Sequence, residues 1–232
     1  MDNSDQYYSE YPRFHVALDC IIFGFDEGEL KLLIHKRRME PARGQWSLFG
    51  GFLKEGESLD EGANRILHEL TGLEKIYMEQ FQTYGEINRD PAGRVISVAY
   101  YALIPAHKYS DSYSKRYGAT WVSLTNMPAL IMDHEDMVDK GLKRLRRRAS
   151  TQPIGFELLP REFTMPQLQA FYEAIFQAKL DKRNFRKKIL SLDVFLKLDQ
   201  KDMSNSRKGA YLYRFDRKKY KRLVDGGYSF TI

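Results

Sequence analysis

Several acidic residues lie close together in one stretch of the chain, Gly51 to Leu73, with the sequence GFLKEGESLDEGANRILHELTGL. Glu55, Glu57, Glu61 and Glu69 supply four carboxylates within it. Hard divalent cations bind clustered oxygen ligands of this kind, and a bound cation can polarise a phosphate group for attack by water. The stretch therefore has the spacing of a metal site for phosphate chemistry.

A helix must position these side chains. Ser58 and Glu61 have the spacing of a capping box and predict its start, while Gly72 is a good left-handed stop. On such a helix, positions 66, 69 and 70 are expected to face the same way. Glu69 is the only acid among the three, because Ile66 and Leu70 form an apolar i, i+4 pair. An apolar pair cannot ligate a cation and makes its desolvation more costly.

This stretch resembles the Nudix box, in which three helical glutamates hold Mg²⁺ or Mn²⁺ against a diphosphate. Ile66 and Leu70 stand where the family has two of them, so we predict no catalytic residues, no metal and no cofactor. Glu57 and Arg65 match the family's loop-to-helix ion pair. The alternative is an enzyme that uses substitute ligands. The positions that match the pattern are Gly51, Glu57, Arg65, Leu67, Glu69, Gly72 and Leu73.

The composition limits the class of protein. With 232 residues, 43% of them hydrophobic, the chain can build one large domain or two with a proper core. The lone Cys20 argues against disulfides and is expected to be a buried structural thiol. The acidic start has no signal-peptide pattern and no stretch is apolar enough to span a bilayer. We expect a soluble, cytoplasmic protein without a membrane partner.

The charge is distributed unevenly. Residues 1–150 contain 20 Lys and Arg against 22 Asp and Glu, or −2, whereas residues 151–232 contain 17 against 9, or +8. A nearly neutral half followed by a strongly basic one is typical of a sensing domain joined to a nucleic-acid-binding domain. The basic half becomes informative only if its charges lie on a suitable motif.

The first half predicts an α/β fold. Strands are expected before and after the box helix, and Asp133 to Arg148 is expected to form a closing helix. This order agrees with the Nudix α/β/α sandwich and its mixed sheet. The expected division is an N-terminal tail over 1–12, a Nudix-like sensing domain over 13–150, a linker over 151–155 and a winged helix-turn-helix domain over 156–232.

Two helices begin the second domain. Thr164 and Gln167 have capping-box spacing, and Asp181 is a plausible N-cap for the next helix. Helix, short turn and a second helix with a basic exposed face is the arrangement that places a recognition helix in the DNA major groove. The alternative is an ordinary surface helix. The predicted DNA contacts are Lys182, Arg183, Arg186 and Lys187.

A β-hairpin is expected next, from Val194 to Leu198 and from Ala210 to Phe215. Its polar tip contains Lys201, Arg207 and Lys208, which suit contact with phosphates or the minor groove. The hairpin favours a winged helix over an ordinary surface helix.

Both halves together resemble the Nudix-related transcriptional regulators, most of all their arabinose-utilisation branch. The resemblance implies a homodimer that binds a double-stranded DNA operator and responds to a small effector, L-arabinose in that branch and ADP-ribose or related molecules in the branch that governs NAD metabolism. A site without metal weakly favours a neutral ligand. By analogy with the family's cleft, the candidate effector residues are Asp19, Lys36, Trp46, Phe49 and Glu69.

Three alternatives to the arabinose prediction stay open. One is an active Nudix hydrolase of ADP-ribose or a sugar nucleotide, and another is an ADP-ribose-sensing regulator of NAD metabolism. The third is a plain nucleic-acid-binding protein without a ligand. Positions 66 and 70 separate a hydrolase from a regulator, because a hydrolase needs ligands for its metal there.

Overall fold

The computed structural model describes residues 7–26, 28–106, 109, 118–155, 158–204 and 207–226. The residues outside these ranges are the first six of the N-terminal tail, 27, 107–108 and 110–117 of the predicted sensing domain, 156–157 at the start of the second domain, 205–206 at the hairpin tip and the C-terminal 227–232.

Seven strands form the sheet of the first half, with the order β3-β2-β1-β6-β5, while β4 pairs with β1 and β7 with β2. β1 and β6 are parallel, and every other pair is antiparallel. The predicted mixed sheet is confirmed. The strands are β1 (His15–Asp26), β2 (Glu29–Lys36), β3 (Trp46–Ser47), β4 (Phe49–Phe52), β5 (Glu79–Tyr84), β6 (Val95–Pro105) and β7 (Ala119–Ser123).

Two helices cover the two faces of this sheet, α1 (Leu59–Thr71) and α2 (His134–Thr151). Alternate residues of β1 point to opposite faces. Leu18, Cys20 and Ile22 join the apolar cluster that includes α1, and Ile21, Phe23 and Phe25 join the cluster that includes α2. The predicted α/β/α sandwich is confirmed.

The caps of α1 are those that the sequence predicts. Ser58 and Glu61 form the capping box, and Gly72 ends the helix with a left-handed φ of 71°. Burial along the predicted common face of positions 66, 69 and 70 is uneven. Ile66 is 2% exposed in the core, whereas Glu69 is exposed to solvent.

The second half is a winged helix, as predicted. Thr164 and Gln167 form a capping box at the start of α3, and Asp181 caps α4 by accepting a hydrogen bond from the N–H of Asn184. A three-stranded sheet has the order β8-β10-β9. The elements are β8 (Phe163–Thr164), α3 (Met165–Phe176), α4 (Lys182–Ser191), β9 (Phe195–Asp202), β10 (Ala210–Phe215) and α5 (Arg217–Asp225).

The two halves share one apolar cluster. The rings of Phe25 and Phe171 meet edge-on with centroids 4.9 Å apart. Nε of Arg146 in α2 donates to the carbonyl of Ile175 near the end of α3, at 2.9 Å. The sensing half therefore contacts the first helix of the winged-helix half directly. Among the described helices, none has the length and apolar character to cross a membrane.

Candidate effector and DNA sites

Glu57 and Arg65 hold the loop before α1 against the helix, as the resemblance to the Nudix box implies. Nε of Arg65 donates to Oε2 of Glu57 at 2.8 Å, and its Nη2 lies 2.5 Å from Oε1. The N–H of Lys54 also donates to this carboxylate. These hydrogen bonds, that from Arg65 most of all, lower the pKa of Glu57 to about 2. The carboxylate of Glu57 is thus already hydrogen-bonded within the protein, and its role is structural.

The rest of the box does not fit a divalent metal. Glu69 is paired with Arg65 at 3.1 Å and with Lys54 at 3.5 Å, and Glu61 is engaged in the capping box. Ile66 packs beneath Gly51, where a Cβ would lie 3.1 Å from the Ile66 side chain. Within the described part of the chain, no three His, Cys, Asp or Glu side chains group as metal ligands. Glu57, Glu61 and Glu69 are thus engaged in other contacts, while an enzyme with substitute ligands stays an open alternative.

A basic cleft lies at the end of β2, beside β3 and β7. Its volume is about 620 Å³, within the size range of small-molecule sites. Nζ of Lys36 lies 5.3 Å from the centroid of the Trp46 ring. The backbone closes the loop that follows β2, because Arg37 N–H donates to the carbonyl of Gln45 and Gly44 N–H to that of Arg37. The side chains that dominate the lining are Lys36, Arg37, Arg38, Arg43, Trp46 and Thr120.

Asp19 belongs to a buried polar network rather than to this cleft. The hydroxyl of Ser97 donates to its Oδ2 at 2.5 Å, and Nη2 of Arg89 lies 3.5 Å from the same oxygen. Arg89 also makes two hydrogen bonds to Asp133, at 2.8 and 2.7 Å. Nε2 of His134 lies 3.7 Å from Oδ1 of Asp19. The network connects the centre of the sheet with the start of α2.

His134 then joins this network to β3 and β4. Its Nδ1 accepts a hydrogen bond from the N–H of Leu48 at 3.1 Å, so the neutral tautomer carries its proton on Nε2. Burial lowers the pKa of His134 below the ordinary value and keeps it neutral. The carbonyl of Trp46 accepts from the N–H of Ile131, just before α2. The cleft and α2 are thus in backbone contact.

The structure brings together two of the five predicted effector residues. Lys36 and Trp46 line the basic cleft. Phe49 is fully buried and stacks on His35, with ring centroids 4.6 Å apart. Glu69 lies on the outer surface of α1, and Asp19 lies in the buried network. Effector contact by any of the five stays a prediction.

The predicted recognition helix is α4, whose Phe185 and Ile189 are buried against the rest of the domain. Arg183 and Lys187 lie four residues apart and are exposed, so they share an outward face. Lys182 is exposed at the first turn. Arg186 differs, because its Nη2 donates to the hydroxyl of Tyr213 in β10 at 3.3 Å. It connects the helix to the wing.

The wing, which is the hairpin of β9 and β10, contains a basic residue that sequence reasoning missed, Lys197. Nζ of Lys197 lies 3.7 Å from the ring centroid of Tyr211, and Nζ of Lys201 lies 4.7 Å from it. Lys201 lies within β9 and not at the tip, whereas Arg207 and Lys208 are exposed in the turn, as predicted. Side chains alternate between the two faces of a strand, and this alternation along the two predicted hairpin strands was the available signal that Lys197 and Tyr211 share a face.

Family models match both halves. A NUDIX domain matches residues 13–140, and the NrtR DNA-binding winged helix domain matches residues 155–215. The fold and the basic helix α4 thus define a DNA-binding transcriptional regulator built on a Nudix domain.

Similar proteins narrow this class. The chain is 33% identical over 211 residues to an ADPR-responsive transcriptional repressor, NtrR, of Acinetobacter baylyi, covering 89% of this chain and 84% of that protein. It therefore belongs to the NrtR-like family of ADP-ribose-responsive repressors. Its Nudix half is also 34% identical over 124 residues to an ADP-ribose pyrophosphatase of Methanocaldococcus jannaschii, covering 53% of this chain and 70% of that one.

Solved structures agree with this family. Shewanella oneidensis NrtR in complex with a 27mer DNA matches with a TM-score of 0.77 and 27% identity, covering 93% of this chain and 97% of that one. The NUDIX domain of the same protein in complex with ADP ribose matches with a TM-score of 0.50 and 29% identity, covering 62% of this chain and 99% of that domain.

These findings do not support the predicted arabinose branch and favour the ADP-ribose alternative. The missing metal ligands of the box do not decide the charge of the effector. The basic run KRRMEPAR, which begins at the last residue of β2, places Lys36, Arg37, Arg38 and Arg43 within eight residues. The run was visible in the sequence, but its convergence on one cleft depends on how the loop closes.

Proposed function

We propose that this protein is an operator-binding repressor whose Nudix half senses ADP-ribose. The observation that carries the proposal is the full-length similarity to a DNA-bound NrtR, together with a basic face on the helix that would enter the DNA groove. ADP-ribose binding would favour one arrangement of the DNA-binding halves and so change operator affinity.

ADP-ribose is preferred over L-arabinose as the effector for two reasons. The relatives with the same two domains include one described as responsive to ADPR, and a similar Nudix domain has been solved with ADP ribose. The sensing half of this chain also has a basic cleft, which suits a diphosphate better than an uncharged sugar.

The effector is expected to be bound and not hydrolysed. Glu57 and Glu61 are engaged in structural hydrogen bonds, and Ile66 fills the space where the family has a metal ligand. The similarity to an ADP-ribose pyrophosphatase favours the second candidate function, a hydrolase. Robust turnover of ADP-ribose with Mg²⁺ that Glu69→Gln abolishes would establish that second candidate.

We further propose that the protein acts as a homodimer on a double-stranded operator. A twofold operator presents two half-sites about one helical turn apart, and each needs its own recognition helix. The contacts are expected to come from α4 and the wing.

The test is a fluorescence anisotropy titration of the full-length protein against a labelled fragment of its own promoter. ADP-ribose is expected to change the Kd for DNA at least fivefold, the lower end of typical coupling between two ligand sites. L-arabinose is expected to leave it unchanged. A response to L-arabinose with none to ADP-ribose would overturn the effector assignment, and failure to bind any promoter fragment would overturn the regulator assignment.

A further inference from the structure

The basic cleft combines four cationic side chains in one concave site. Lys36, Arg37, Arg38 and Arg43 all line it, and the described lining residues include no Asp or Glu. Concentrated positive charge is normally unfavourable, because like charges repel one another and each prefers to be hydrated. A cleft of this composition therefore fits an anion with more than one negative charge.

Arg37 provides a second, independent indication of a ligand. Its Nε is buried and has no hydrogen-bond partner among the described residues. A buried donor without an acceptor is costly, so such atoms are rare in folded proteins. An anion in the cleft would supply the acceptor, because Arg37 lines the cleft.

Trp46 adds an apolar wall beside the charges. Its indole is partly buried, and Lys36 lies over the ring. Guanidinium forks match phosphate oxygens in geometry, and an indole face can pack on a sugar or a base. The shape and chemistry of the cleft therefore fit a diphosphate that carries a sugar on at least one side.

We propose that this cleft binds the diphosphate of the effector without a metal ion, with the four basic side chains supplying the neutralising charge. This inference rests on the proposed function, since ADP-ribose is the diphosphate considered. The diphosphate site lies at the end of β2, on the sheet face that α2 covers. The box helix α1 holds the opposite face and contributes no ligand.

The experiment is isothermal titration of ADP-ribose into the full-length protein in buffer with excess EDTA. The wild type is expected to bind, and Lys36→Gln combined with Arg43→Gln is expected to weaken the affinity at least tenfold. Both side chains are exposed, so the melting temperature of the double variant is expected to stay within about 2 °C of the wild type, as for most surface changes. Lys54→Gln is the matched control, because Lys54 is an exposed basic residue beside the box helix.

The outcomes separate failure of the cleft assignment from failure of the proposed function. If binding requires Mg²⁺, or if Lys54→Gln rather than the double variant weakens it, the cleft is not the diphosphate site. If ADP-ribose does not bind the wild type at all, the proposed function fails. The cleft is then tested alone with inorganic pyrophosphate. Binding of pyrophosphate in EDTA that the double variant loses upholds the cleft, and absence of such binding overturns it.

Discussion

At the scale of single residues, the two aliphatic side chains at the box positions 66 and 70 take part in packing. Ile66 is not simply a missing glutamate, because its side chain fills the space under Gly51 and joins the apolar cluster between α1 and the sheet. Leu70 is partly buried against the same cluster. The scaffold has thus gained buried apolar surface at the positions where its relatives in the Nudix family need charge.

This packing predicts that the family's glutamate cannot simply be restored. Ile66→Glu is expected to lower the free energy of unfolding by at least about 3 kcal/mol, because it buries an unpaired carboxylate in the core. Leu70→Glu, at a partly buried position, is expected to cost less. Urea denaturation measures the free energy of unfolding of both variants. Ile66→Val is the control for a change of side-chain shape and is expected to lower this free energy by roughly 0.5–1.5 kcal/mol. Equal costs for both glutamates would contradict the packing described for Ile66.

His134 predicts a pH dependence of stability. Burial lowers its pKa from the ordinary 6.5, so below pH 6.5 the unfolded imidazole takes up a proton that the folded one does not. The stability due to neutral His134 is therefore complete above pH 6.5 and declines as the pH falls. The melting temperature is expected to fall progressively as the pH is lowered below about 6.5.

The comparison is with the pH slope of the wild-type melting temperature. His134→Gln is expected to reduce this slope, leaving the part due to His35, whose pKa burial also lowers. A slope in His134→Gln equal to that of the wild type would contradict the assigned role of His134.

At the scale of elements, sequence patterns were reliable wherever local physics decides the outcome. The capping boxes at Ser58 and Thr164 and the stop at Gly72 depend on short-range hydrogen bonds and backbone conformation. The different burial of Ile66 and Glu69 on their common face could not be predicted, because the sheet below α1 decides which residues are buried. The cleft and the Asp19 network could not be predicted, since they join residues far apart in sequence.

Substitutions on the outward face of α4 are expected to cause a specific loss of DNA binding. Arg183→Ala combined with Lys187→Ala removes two outward-facing cations and is expected to weaken operator binding at least tenfold, with a smaller salt dependence. Anisotropy measurements at several salt concentrations test this. ADP-ribose affinity and melting temperature are expected to be unchanged.

Lys188→Ala is the control, because Lys188 is exposed on α4 but turned about 100° from Lys187. It is expected to have a much smaller effect. Equal losses of operator affinity in Lys188→Ala and in the double variant would mean that DNA binding depends on the total charge of the helix and not on the proposed face.

At the scale of the whole molecule, α2 lies between the proposed effector cleft and the winged-helix half. Just before α2 begins, the N–H of Ile131 donates to the carbonyl of Trp46 in β3 at 3.0 Å. Near its end, Arg146 contacts the carbonyl of Ile175 and the side chain of Gln177, at the end of α3. A shift at the cleft can therefore reach the helix that precedes the recognition helix through one rigid element.

Because Arg146 joins α2 to the end of α3, we expect its substitution to weaken the coupling between effector and operator binding without weakening either binding reaction. Arg146→Gln is expected to keep the Kd for ADP-ribose and the Kd for free operator within about twofold of the wild type. The factor by which ADP-ribose changes operator affinity is expected to fall by at least half. Arg147→Gln, at the exposed neighbouring position, serves as the control. An undiminished effector response in Arg146→Gln would show that α2 transmits the signal by another contact.

The central claim is that the Nudix half recognises a diphosphate with its own side chains and reports its presence to the operator. The most direct test adds ADP-ribose to the preformed protein–operator complex in excess EDTA, follows anisotropy and then analyses the nucleotide. We predict a shift in operator affinity with the ADP-ribose recovered intact. An affinity shift that appears only with Mg²⁺, or only as ADP-ribose is cleaved, would contradict the account.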